Sequence, residues 1–99
     1  MAKDKKEIIS EFKIHIEKEG SGYGSWYVGI SKDARDRLNQ HGVPEKNAWF
    51  IYRQAATSSV AREIEDYFVN SLGTDGGTGG GDETADMVYG YKKTVNTNP

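Results

Sequence analysis

Apolar residues fall along this chain in two rhythms, and the switches between them predict its elements. Phe12-Lys13-Ile14-His15-Ile16 alternates apolar and polar and is rich in β-branched residues, which predicts a half-buried strand. A single helix from Asp4 to Glu19 is the alternative, and Met1 to Glu11 is otherwise a loose tail or a short helix. Gly20 to Gly24 reads as a turn into a second strand, Ser25 to Ser31, completing a hairpin. On that strand Trp26, Val28 and Ile30 share one face, and Tyr27 and Gly29 the other.

Asp33 is placed to cap a helix running to about Gln40, stopped by Gly42 with Pro44 beyond. Aromatic and β-branched residues from Ala48 to Ala55 predict a third strand. Thr57, Ser58 or Ser59 then caps a helix to about Leu72, whose stripe of Val60, Ile64, Tyr67, Phe68 and Leu72 has helical spacing. A glycine-rich loop, Gly73 to Asp82, leads to a last strand from Met87 to Lys93 and a loose tail, Thr94 to Pro99. The order β-β-α-β-α-β predicts an α+β fold, a small three- to four-stranded, mostly antiparallel sheet flanked by helices. Residues 1–99 form one domain with its core at about 12–93.

Composition narrows the function. Thirteen Lys/Arg against fifteen Asp/Glu give a net charge of −2, which is not the footprint of a strong general nucleic-acid binder. A local basic face remains, because Lys32, Arg35, Arg37 and Arg53 lie close together in sequence. With no cysteine, disulfides and thiolate metal sites are excluded. No apolar run approaches the roughly 20 residues of a membrane span and no signal-peptide pattern is present, so a soluble, cytoplasmic protein is expected.

The candidate chemistry lies between Trp26 and His41, with Glu65 further on. Arg37 and His41 are four residues apart and share one helical face. Arginine's planar fork pairs with two phosphate oxygens at once. Glutamate is a hard oxygen ligand for Mg²⁺ or Mn²⁺. Glu65 borders the apolar stripe of its helix, and Glu63, at the opposite edge, is its rival. These are the residue types of a metal-dependent phosphodiesterase.

In their spacing the residues resemble the GIY-YIG nuclease superfamily. There a tyrosine-apolar-glycine strand leads into a helix with an arginine and often a histidine one turn on. Tyr27-Val28-Gly29, Arg37 and His41 match, and Ala61 followed by Glu65 looks like the helix that carries the metal-binding glutamate. The resemblance spans roughly Phe12 to Leu72. It implies a catalytic set of Tyr27, Arg37, His41, Glu65 and His15, with Glu65 as metal ligand and Gly29 supporting, since a side chain there would crowd the cleft beside Tyr27. Tyr27 would be the general base. A free tyrosine is ionised only to about one part in a thousand at neutral pH, so that role requires its pKa to be lowered.

Two features depart from the family. Lys13-Ile14-His15 stands where glycine-isoleucine-tyrosine is normal, so His15 would take the tyrosine's place; Tyr23, in the turn, is another stand-in. No asparagine lies in residues 73–91, where many members carry one after the glutamate helix. The glycine-rich loop takes that region. It lacks the Gly-Lys-Ser/Thr of a Walker loop and does not open a helix as a dinucleotide fingerprint does. It is a flexible connector, or a backbone that approaches a nucleic-acid phosphate.

The expected function is therefore a divalent-metal-dependent endonuclease hydrolysing DNA phosphodiester bonds with Mg²⁺ or Mn²⁺. The alternative is a catalytically weak or inactive GIY-YIG-like domain that binds nucleic acid or a protein partner. One small domain leaves no room for a separate specificity module, so selection falls to DNA structure, a homodimer or a delivering protein partner.

Overall fold

The segment expected to begin the sheet is a helix instead. The computed structural model describes residues 4–42, 50–76 and 85–94, and its first element is α1, Lys5–Glu19. Asp4 caps it by accepting a hydrogen bond from the Glu7 amide at 2.8 Å, and Gly20 ends it in the left-handed region at φ 93°. The residues it buries are Ile8, Phe12 and Ile16, four apart, whereas Ile14 is 64% exposed. The alternation at 12–16 was thus a short stretch of a longer four-residue period. No strand forms at Phe12–Ile16 and there is no hairpin with the next element. Nor is the described part of the N-terminus, from Asp4, a loose tail.

The remaining elements follow the predicted order. A 3-10 turn at Tyr23–Ser25 leads into β1, Trp26–Ser31. Next comes α2, Ala34–Gln40, with Asp33 accepting from the Asp36 amide as its cap. β2 is Phe50–Gln54, and α3 is Ser58–Asp66, capped by Thr57. A π-helical stretch, Tyr67–Leu72, extends α3 to Gly73, and β3 is Met87–Lys92. The expectations for Pro44, for Ala48 and Trp49, for most of the glycine-rich stretch and for the tail beyond Thr94 lie outside the described residues.

The protein is an α+β fold, and its described residues form a three-stranded antiparallel sheet and three α-helices. β3 is central, between β1 and β2. Pairing puts Tyr27 opposite Tyr91 and Gly29 opposite Tyr89, and across β3 it puts Phe50 opposite Tyr91 and Tyr52 opposite Tyr89. Paired residues face the same way, so Tyr27, Gly29, Tyr89, Tyr91, Phe50 and Tyr52 share one face.

Each face has its own core. Trp26, Val28, Ile30, Ile51 and Val88 meet Phe12 and Ile16 of α1 and Ala61, Ile64 and Phe68 from α3 and its extension. On the other side the tyrosines meet Ala34 and Leu38 of α2. Helices therefore flank the sheet on both sides, and the α2 side carries the polar chemistry. Among the described residues no helix is long and apolar enough to cross a membrane.

Candidate functional site

Tyr27, Arg37 and His41 come together on the α2 face, as their spacing predicts. The stripe Ala34, Leu38, His41 turns inward, and the first two are buried against the sheet tyrosines. His41 sits just past the last turn of α2, which Gly42 then ends at φ 81°. Its ring lies 5.0 Å from that of Tyr27, centroid to centroid.

Two tyrosines that the sequence reading did not single out complete the cluster. Tyr89 and Tyr91 of β3 are both buried. The Tyr89 hydroxyl is 3.1 Å from His41 Nε2, and the Tyr91 hydroxyl is 3.1 Å from Nδ1. Arg37 hydrogen-bonds Tyr89, and Tyr89 in turn hydrogen-bonds Tyr27. The tautomer of His41 sets which of the two hydroxyls donates to the ring and which accepts from it.

Gly29 has a definite steric reason. A Cβ at this position would lie 2.6 Å from the Tyr89 hydroxyl oxygen and 2.8 Å from Cζ. The Tyr89 ring lies across the glycine, so it is Tyr89, more than Tyr27, that requires the missing side chain.

Glu65 is the unusual group of α3. It is 6% exposed, and its Oε2 has no hydrogen-bond partner among the described residues. Burial, and then the neighbouring charge of Asp66, push its carboxyl up from 4.5 to about 7. Its rival Glu63 is exposed and pairs with Lys5 at 3.1 Å, an ordinary surface contact. A buried carboxylate oxygen without a donor is the observation that fits a hard divalent cation. Among the described residues no group of three or more His, Asp or Glu side chains forms a ready-made metal centre. A cation here would complete its shell with water and phosphate.

The phenol of Tyr27 moves the opposite way from the one its proposed role requires. Burial raises it, the charge of Glu65 raises it further and Asp75 adds to this; the Tyr89 hydroxyl and Arg37 act against them. Tyr27 by itself is therefore protonated at neutral pH. The pKa displaced into the neutral range belongs to Glu65.

His15 does not belong to the site. On α1 its ring stands edge-on to Trp26 at 5.6 Å, on the opposite side of the sheet from Tyr27. The helix in place of a strand removes it from the position of the first-motif tyrosine. Tyr23 is no substitute, since it bonds Glu17 and packs against Phe68 in the other core. The tyrosine opposite Tyr27 is Tyr91, supplied by the last strand. The signal was present in Val88-Tyr89-Gly90-Tyr91, another tyrosine-and-glycine strand, but nothing in its sequence position tied it to Tyr27.

The local basic face is divided as well. Arg53 bonds Glu11 of α1 at 2.5 Å. Lys32 and Arg37 instead line a cleft of about 270 Å³ with Ser31, Asp36 and Gln40. Ser31 continues the Tyr27–Gly29 row of the sheet toward this cleft. Comparison with protein-family models, with curated proteins and with solved structures finds no match to this chain.

Proposed function

We propose that this protein is a divalent-metal-dependent endonuclease acting on DNA phosphodiester bonds, organised like a GIY-YIG nuclease with one tyrosine strand moved to the end of the chain. The observation that carries the reading is the buried Glu65 carboxylate, one oxygen of which has no partner among the described residues, and whose charge is felt at Tyr27 beside the Arg37–Tyr89–His41 network. A cationic phosphate ligand, a phenol and a lone hard carboxylate together suit phosphoryl transfer better than acyl or redox chemistry.

Arg37 would hold the scissile phosphate through the guanidinium donors not engaged by Tyr89. Glu65 would hold Mg²⁺ or Mn²⁺, which when bound supplies positive charge to polarise the phosphate and stabilise the leaving oxygen. His41, Tyr89 and Tyr91 fix the position of Tyr27. Tyr27 would orient the attacking water and take its proton. Neutralising the Glu65 charge removes one of the causes that keep its phenol protonated.

The test is cleavage of supercoiled, linear and branched DNA with Mg²⁺ or Mn²⁺, beside Arg37→Ala and Glu65→Gln. Cleavage by the parent protein that falls at least 100-fold in both variants supports the proposal. Unchanged cleavage in both assigns the activity elsewhere. The raised phenol of Tyr27 and the net charge of −2 favour a second reading, a GIY-YIG-like domain of weak or no activity that binds nucleic acid or a protein partner. Salt-sensitive DNA binding without cleavage of any substrate would select it.

A further inference from the structure

The outer side of α1 carries a groove that the candidate site does not use. While Ile8, Phe12 and Ile16 turn into the core, the opposite side of the helix lines a groove of about 460 Å³. Ile9, Ile14 and Tyr67 give it apolar walls, Lys6, Lys13 and Glu17 its charges, and Ser10 its smallest side chain. Ile14 is the one large apolar side chain that stands fully exposed among the described residues. Lys6 and Lys13 enter no ion pair among the described residues. The Glu17 carboxylate is held in place by the Tyr23 hydroxyl.

The lining positions of α1 have an internal symmetry. Positions 6, 9, 10, 13, 14 and 17 read the same from either end, about a midpoint between Glu11 and Phe12. At 3.6 residues per turn, Lys6 and Glu17 lie within about 20° of each other around the helix axis, on the centre line of the stripe. Ser10 and Lys13 stand close to that line on either side, and Ile9 and Ile14 mark the two margins. Such a stripe is complementary to itself. A second α1 laid antiparallel across it about a two-fold axis sets Lys6 of each copy level with Glu17 of the other, at both ends of the contact. It also sets the two Ile14 side chains on the same side of the axis, where each covers the other. Ser10, near the axis, keeps the helices free to approach closely.

We propose that this face is the interface of a two-fold homodimer, with α1 packed antiparallel on α1 of a second copy. Charge selects that occupant and that direction: a parallel pairing would set Lys6 against Lys6 and Glu17 against Glu17. One helix stripe and its groove make an interface at the small end of the specific range, so association is expected at about 10–100 µM. α1 lies on the opposite side of the sheet from Tyr27 and the α2 face, so a dimer of this kind leaves both candidate sites open. The proposal stands independently of the nuclease reading.

Sedimentation velocity of the full-length chain, from about 10 µM to about 1 mM, tests it. The parent is expected to pass from monomer to dimer across that range. Ile14→Arg, at an exposed position, is expected to weaken association at least tenfold. Lys6→Glu and Glu17→Lys each bring like charges together at both ends, and each alone is expected to associate at least tenfold more weakly. Mixed in equal amounts they regain both ion pairs, and the mixture is expected to dimerise within about threefold of the parent. Recovery on mixing is the signature of the antiparallel register. Ile14→Arg and Lys6→Glu keep the proposal testable if Glu17→Lys, which gives up its bond from Tyr23, fails to fold. A parent that stays monomeric at the highest concentration would overturn the proposal and leave the groove to a segment of another protein. A parent dimer unmoved by Ile14→Arg and Lys6→Glu would place the interface elsewhere and overturn it too. Weakened single variants that do not recover on mixing would overturn the antiparallel pairing.

Discussion

Replacing Glu65 by glutamine should make the folded protein more stable above neutral pH and leave it unchanged in acid. The carboxyl is 6% exposed, lacks a partner at Oε2 among the described residues, and is raised from 4.5 to about 7. Below about pH 4.5 the group is protonated in both folded and unfolded chains, so burial carries no charge penalty. Between 4.5 and about 7 the unfolded chain releases the proton while the folded one retains it, so stability falls as pH rises. Above that window the penalty is constant. A shift of this size corresponds at most to about 3 kcal/mol, and about 2 kcal/mol after allowance for solvent at the rim. Glutamine has nearly the same shape and no charge to desolvate. For a domain of this length, about 2 kcal/mol corresponds to a rise in Tm of about 10 °C. Melting curves of parent and variant at pH 4 and pH 8, in chelator, measure the difference. Equal gains at both pH values, or a loss at pH 8, would refute the argument and return Glu65 to the ordinary carboxylates.

Two further outcomes follow from the geometry. Gly29→Ala drives a methyl group into the Tyr89 ring and should cost about 1–3 kcal/mol in chemical denaturation, whereas Gly24→Ala, with open space around it, should stay within about 0.5 kcal/mol; equal effects would remove the steric role of Gly29. Glu19 has the opposite pH signature to Glu65. The Lys92 ammonium, with Ser21 and Trp26 assisting, holds its carboxyl at about 2 instead of 4.5. Its contribution, about 1–2 kcal/mol after solvent screening, is present above pH 4.5 and lost as pH falls toward 2. Glu19→Gln should therefore flatten the acid limb of the stability curve and lower stability at pH 7.

Local chemistry made much of the site legible. Asp33, Thr57, Gly42 and Gly73 are short-range cap and stop signals, and they bound α2 and the α3 helix where they should. Tyr27, Arg37 and His41 lie on one strand and the helix that directly follows it, so their spacing alone brings them together. The same local logic failed at Phe12–Ile16. Five residues fit both a strand and one turn of a helix, and the Asp4 cap and the distant partners Trp26 and Phe68 decided for the helix.

What the sequence determined by itself is thus the order of most elements, their caps and the Tyr27–Arg37–His41 half of the site. All of these depend on interactions within a few residues. Only the tertiary structure decided that β3 lies in the centre of the sheet and that Tyr91 and not His15 stands opposite Tyr27. It also gave different surroundings to Glu63 and Glu65, two residues apart and alike in sequence. Glu63 pairs with Lys5 in solvent, whereas Glu65 is buried with its Oε2 lacking a partner among the described residues. Strand order and burial are set by contacts between distant segments competing for one sheet and two cores, and neither spacing nor propensity records the outcome of that competition.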